Sequence, residues 1–87
     1  MDGLAAEGEF FTRRLERLQA KLRDLELDAA VIMSPVNLYY FTGTAQRAAL
    51  LVPSTGEATL YVLRSYERAL REAYVKCVEA SGLNELA

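Results

Sequence analysis

Residues 29–43 read Ala29-Ala30-Val31-Ile32-Met33-Ser34-Pro35-Val36-Asn37-Leu38-Tyr39-Tyr40-Phe41-Thr42-Gly43, and their reading decides the fold. Ala29 to Met33 is an unbroken apolar run of strand length, as expected of a strand covered on both faces. Ser34-Pro35 then marks a helix start, because a serine can cap free amides and a proline, with its preset φ, suits the first helical position. Gly43 supplies the left-handed residue that ends such a helix. The stretch predicts a strand followed directly by a short helix, or a pair of turns, over Pro35 to Thr42.

Upstream, the apolar positions Phe11, Leu15, Leu18, Leu22 and Leu25 recur at alternating spacings of four and three. That is one stripe on an amphipathic helix, with Arg13, Arg14, Glu16, Arg17, Lys21, Arg23, Asp24 and Glu26 on its solvated sides. A coiled-coil seam needs roughly three or four heptads, more than this stripe provides, so the stripe reads as core. Residues 1–9 are small and acidic and are expected to form a flexible leader, with the domain proper over residues 10–87.

Downstream, Ala48 to Val52 and Thr59 to Leu63 are β-type runs joined by the turn-rich Pro53-Ser54-Thr55-Gly56-Glu57, which points to an antiparallel hairpin. Ser65 with Glu67 opens a second helix whose apolar face is Tyr66, Ala69, Leu70, Ala73 and Tyr74. Tyr74 to Glu79 alternates unevenly as a last strand. Ser81-Gly82 reads as a turn, and Leu83 to Ala87 as the start of another helix. The order α-β-α-β-β-α-β, with helices that must bury their stripes on the sheet, gives an α/β domain with a mixed sheet of about four strands.

Composition bounds the function. With 52% hydrophobic and 25% charged residues, the chain of 87 residues belongs with ordinary globular domains and not with disordered ones. The net charge of −2 and the lack of a basic stripe interleaved with aromatics argue against nucleic-acid binding. Apolar runs are far shorter than the ~20 residues a membrane span requires. Asp2, Glu7 and Glu9 occupy the place where a secretory signal needs basic residues, and the lone Cys77 forms no internal disulfide, so a cytoplasmic location is expected.

Chemistry is sparse. The sequence has no histidine, the commonest general base and the commonest zinc ligand. Cys77 sits in an apolar run and reads as a packed thiol. The carboxylates are scattered, and no glycine-rich phosphate loop is present. No catalytic residue and no metal or cofactor ligand is therefore assigned in this chain. The segment with a functional look is Asn37 to Gln46, in which Tyr39, Tyr40 and Phe41 and several small polar groups lie between two buried strands.

Order of elements and wording together resemble the N-terminal domain of the creatinase, aminopeptidase P and prolidase family. The resemblance rests on Leu27-Asp28-Ala29-Ala30-Val31-Ile32 after an amphipathic helix, then on Pro35, Asn37, Tyr40, Thr42 and Gly43, and then on Ala48 to Pro53, the Gly56-Glu57 turn and Thr59 to Val62. It implies a ribonuclease-H-like three-layer α/β domain, with a mixed, mostly parallel sheet of about four strands and one antiparallel hairpin, incomplete at its C-terminus. It further implies a separate C-terminal catalytic domain as partner, holding a dinuclear divalent metal site (Mn, Zn or Co), and a homodimer. The implied role is that of a non-catalytic accessory domain of a Xaa-Pro metallopeptidase. Tyr40, Phe41 and Thr44 would then stand near substrate, in the neighbouring subunit's site, while Pro35, Asn37, Thr42 and Gly43 shape the motif. Two alternatives stay open: a free-standing interaction or dimerisation module using the helix stripe or a sheet edge, and the N-terminal domain of a metal-independent creatinase-like hydrolase.

Overall fold

The computed structural model describes residues 3–80, with side chains from Gly8 onward. In chain order the elements are α1 (Gly3–Asp24), β1 (Ala29–Ile32), α2 (Pro35–Thr42), β2 (Ala48–Pro53), β3 (Thr59–Val62), α3 (Tyr66–Glu72) and β4 (Lys76–Glu79). This is the order read from the sequence. Helix α1 begins at Gly3, so residues 3–9, expected as a leader, lie inside it. The turn at Ser81-Gly82 and the helix expected over Leu83 to Ala87 fall outside the described residues.

The short helix forms for the reasons its sequence gives, with one exception. Pro35 occupies the first turn of α2, and Gly43 closes it at φ 87°. Ser34 takes the N-cap position with extended backbone, but its side chain makes no capping hydrogen bond. Its carbonyl instead accepts the Leu38 N–H at 2.8 Å. At α3 the Ser65 hydroxyl likewise caps nothing, because Ser65 itself sits at φ 59°.

The sheet runs β1-β2-β3-β4. Val31 faces Leu51 and Ile32 faces Leu50 across the antiparallel β1–β2 pair. The expected hairpin is antiparallel β2–β3, with Leu50 opposite Leu60. Among the described strands only β3–β4, with Leu60 opposite Cys77, is parallel. The sheet is mixed, as expected, but mostly antiparallel where a mostly parallel one was expected. The reason lies in the connections: α2 and its loop return the chain to the end of the sheet that it left, whereas α3 carries it to the opposite end. Hydrophobic periodicity carries no information about that choice.

Side chains alternate across a strand, so the register sorts them into two faces. Ala30, Ile32, Leu50, Val52, Leu60, Val62 and Cys77 share one face and meet Leu15, Leu18 and Leu22 of α1, Leu38 and Phe41 of α2, and Tyr66 and Ala69 of α3 in a single core. Leu38, Leu50, Leu60, Val52 and Val62 are fully buried there. The other face carries Val31, Leu51, Tyr61 and Val78, all partly exposed. Among the described residues the helices thus form one layer on the sheet, and the second helical layer of a three-layer domain is not among them.

Helix α1 also holds the hairpin turn. Gln19 Nε2 donates to the carbonyls of Pro53 and Gly56, at 2.8 and 2.9 Å, and Arg23 Nη1 donates to that of Ser54 at 2.6 Å.

Candidate functional site

The segment singled out by sequence leaves the C-terminal end of α2 and turns into β2, and its backbone is fixed from several sides. Thr42 is fully buried. Its hydroxyl donates to the Leu38 carbonyl at 2.7 Å and accepts the Thr44 N–H at 3.2 Å. The Thr42 carbonyl accepts the Tyr74 N–H at 2.7 Å. Gly43 lies against the Tyr74 ring so closely that a Cβ there would stand 2.9 Å from a ring carbon and 3.1 Å from the Glu72 carbonyl oxygen. The Tyr74 ring in turn stacks on Phe11 with centroids 4.8 Å apart. Four elements or their ends therefore meet at this corner.

At its centre is the Glu72 carboxylate. It accepts the Thr44 hydroxyl at 2.7 Å, the Gln46 amide at 3.3 Å and the Arg68 Nε at 3.1 Å. The hydrogen bond from Thr44, followed by that from Arg68, holds the Glu72 carboxyl below the ordinary glutamate value. The ion pair with Arg68 is exposed and adds little to stability.

Beside this corner Arg14 joins α1 to α2. Its guanidinium carbon lies 4.2 Å from the Phe10 ring centre and 4.1 Å from that of Tyr40. It also donates to the Tyr40 carbonyl at 2.7 Å. Read from sequence as part of a solvated face, Arg14 is half-buried instead, because the two rings offer its charge their π faces. Between Arg14 and α3 runs an open cleft of about 710 Å³, whose walls include Tyr39, Gln46, Arg71 and Glu72.

The residues singled out by sequence are placed as follows. Thr44 is 2% exposed and lines the cleft through its link to Glu72. Phe41 is half-buried against the core, with its ring edge-on to Tyr40. Tyr40 is 44% exposed and lies under Arg14. Pro35 and Gly43 bound α2, Thr42 is buried, and Asn37 is exposed. Sequence reasoning missed Glu72, Arg14 and Tyr74. Thr44 lies 28 positions from Glu72, Tyr40 lies 26 from Arg14 and Thr42 lies 32 from Tyr74, separations at which no spacing rule operates; the one local signal was Arg68, four residues before Glu72.

Among the described residues no group of three or more His, Cys, Asp or Glu could hold a metal ion. The residues present do not fit a dinuclear metal centre, and no chemical step is assigned to one here. Cys77 is a half-buried thiol whose burial pushes its pKa up, away from nucleophilic reactivity. No helix among the described residues is long and apolar enough to cross a membrane.

Comparison with known proteins agrees with this geometry. The chain is 35% identical over 75 residues to a Xaa-Pro dipeptidase of Pyrococcus furiosus, a match that covers 84% of this chain and 22% of that protein. The solved prolidase from Pyrococcus furiosus superimposes with a TM-score of 0.76 over 83% of this chain and 23% of its own. A dipeptidase PepE of Mycobacterium ulcerans, 23% identical, gives 0.72 over 84% of this chain and 22% of its own, which shows the shared fold. The creatinase/prolidase N-terminal domain of an X-Pro dipeptidase from Streptococcus pyogenes, 19% identical, gives 0.70 over 78% of this chain and 56% of its own. The chain spans under a quarter of the length of the whole enzymes it resembles. The family described as Creatinase/Prolidase N-terminal domain matches residues 14–85, and the chain belongs to that family.

Proposed function

We propose that this chain acts as the non-catalytic N-terminal domain of a Xaa-Pro dipeptidase-like hydrolase, shaping substrate access and contributing to dimerisation. The observation that carries this reading is the 35% identity to a Xaa-Pro dipeptidase over a segment that is 22% of that enzyme. Hydrolysis would fall to a C-terminal catalytic domain of the same polypeptide, with divalent metal as its cofactor. The role of this chain would be steric and positional. The hydrogen bonds that fix the loop from Thr42 to Thr44, next to Tyr40 and the cleft, support this reading. The helix stripe offered to a free-standing interaction module is largely spent on the domain's own core, because Leu15, Leu18 and Leu22 all pack there.

The test is the downstream reading frame and the protein that it encodes. Two Asp, one His and two Glu in metal-binding order are expected, together with metal-dependent cleavage of Xaa-Pro dipeptides. In that protein Tyr40→Ala raises KM for the dipeptide while the melting temperature holds, and removal of residues 1–80 dissolves the dimer. A downstream frame without such ligands, or a protein without peptidase activity, overturns the proposal.

A further inference from the structure

Positive charge collects in the cleft between α1 and α3, in a chain whose net charge is −2. Arg14, Arg68 and Arg71 stand in its walls, and among the described residues Glu72 is the only carboxylate there. Glu72 is already matched, since it accepts the Arg68 Nε at 3.1 Å together with the Thr44 hydroxyl and the Gln46 amide. The other two cations have no carboxylate partner among the described residues. Arg14 is half-buried, and Phe10, Phe11, Arg17 and Leu18, its neighbours at helical spacing, offer it none. It uses one nitrogen on the Tyr40 carbonyl, at 2.7 Å. Arg71 is exposed and makes no hydrogen bond or ion pair among the described residues, although Glu67 stands one turn before it.

Two guanidinium groups left without anions at one cleft attract an oxyanion, which their planar forks can grip with paired hydrogen bonds. Arg14 is held between the Phe10 and Tyr40 rings, so it loses little freedom on taking such a ligand. The same walls carry aromatic surface: Tyr39 is 60% and Phe10 57% exposed, and the Tyr74 ring lies on the cleft as well. Exposed rings beside cations suit a flat apolar group attached to the anion. The volume of about 710 Å³ falls within the ~300–1,000 Å³ of small-molecule sites. We infer that this cleft binds a small carboxylic acid with a flat apolar body, the carboxylate taken by Arg71 and Arg14 and the body laid on the aromatic wall. A bare oxyanion would leave the rings uncovered, and a neutral ring would leave the two cations unmatched. The inference goes beyond the proposed function and uses residues of this chain alone, so it stands or falls without a catalytic domain.

The test is titration of the 87-residue chain with N-acetylphenylalanine, with its uncharged amide and with inorganic phosphate, followed by calorimetry and by backbone N–H chemical shifts. The acid is expected to bind at least about tenfold more tightly than the amide, the effect of one charge-assisted hydrogen bond or more, and to shift the signals of residues 43–46 and 71–74. Arg71→Gln should weaken binding of the acid about tenfold and leave that of the amide unchanged. Lys21→Gln, also at an exposed site but outside the cleft, should change neither. No binding of the acid, or equal affinity for acid and amide, overturns the inference. So does binding of the acid that is indifferent to Arg71→Gln, or that Lys21→Gln weakens as much. Phosphate bound as tightly as the acid overturns it too, since a bare oxyanion is then the ligand.

Discussion

Leu60 in β3 and Thr44 in the loop after α2 are buried almost equally, at 0% and 2% exposure, yet different forces hold them. Leu60 sits among Leu50, Val62 and Leu38, where burial of apolar surface is the whole interaction. Thr44 and its neighbour Thr42 are buried through hydrogen bonds to Leu38, to each other and to Glu72. An apolar core is indifferent to direction and to pH. A polar corner depends on both, and it fixes the position of a loop more sharply than packing alone does.

The largest effect is expected in the apolar region. Leu60→Ala leaves a void under the sheet, and substitutions of this type cost about 2–5 kcal/mol. A domain of this size holds only about 5–15 kcal/mol in total, so the variant should melt far below the parent chain. Calorimetry or denaturant unfolding checks this. A cost under about 1 kcal/mol would mean that the core can collapse around the gap, and the contrast between the two regions would weaken.

Gly43 lies where the regions meet. Its φ of 87° belongs to the left-handed region, and a Cβ would also strike the Tyr74 ring. Gly43→Ala should cost about 1–3 kcal/mol from backbone strain and crowding. Tyr74 should move, and loss of the Phe11–Tyr74 stack would be visible in the near-ultraviolet circular dichroism or in tyrosine ring chemical shifts. A variant with unchanged stability and unchanged ring signals would show that the corner is looser than its contacts imply.

The apolar region was legible in the sequence and the polar corner was not. Leu15, Leu18 and Leu22 announced a buried stripe through their spacing, and Leu50 and Leu60 announced strands through their company of apolar neighbours. Pro35 and Gly43 marked both ends of α2 because their backbone preferences are local properties. Thr44 could be singled out as part of a polar, aromatic loop. That its partner would be Glu72 depends on where α3 ends relative to the loop, which is a property of the folded chain. Arg14 looked like any other charged residue on a helix surface until α2 brought Tyr40 against it. Strand direction was equally hidden, since β1 and β2 read alike whether they run together or opposed.

The smallest expected effect separates the two regions most cleanly. Glu72 has its pKa lowered in the folded state, chiefly by the Thr44 hydroxyl. The unfolded chain therefore takes up this proton at higher pH than the folded one does. The stabilisation is complete above the ordinary glutamate pKa of about 4.3 and fades as pH falls below it toward the folded value. Thr44→Val removes the principal cause of the shift, so the stability of this variant should fall less steeply than that of the parent between about pH 5 and 3. Leu60→Ala, by contrast, should displace the whole pH–stability curve downward across this range and leave its shape intact, since the one titratable neighbour, the Cys77 thiol, stays protonated at acid pH. Melting curves of the three proteins across that range provide the check. If the Thr44→Val curve runs parallel to the parent, the carboxylate is not held by that hydroxyl in solution. The corner would then rest on the hydrogen bonds around Thr42 and on packing, without the carboxylate.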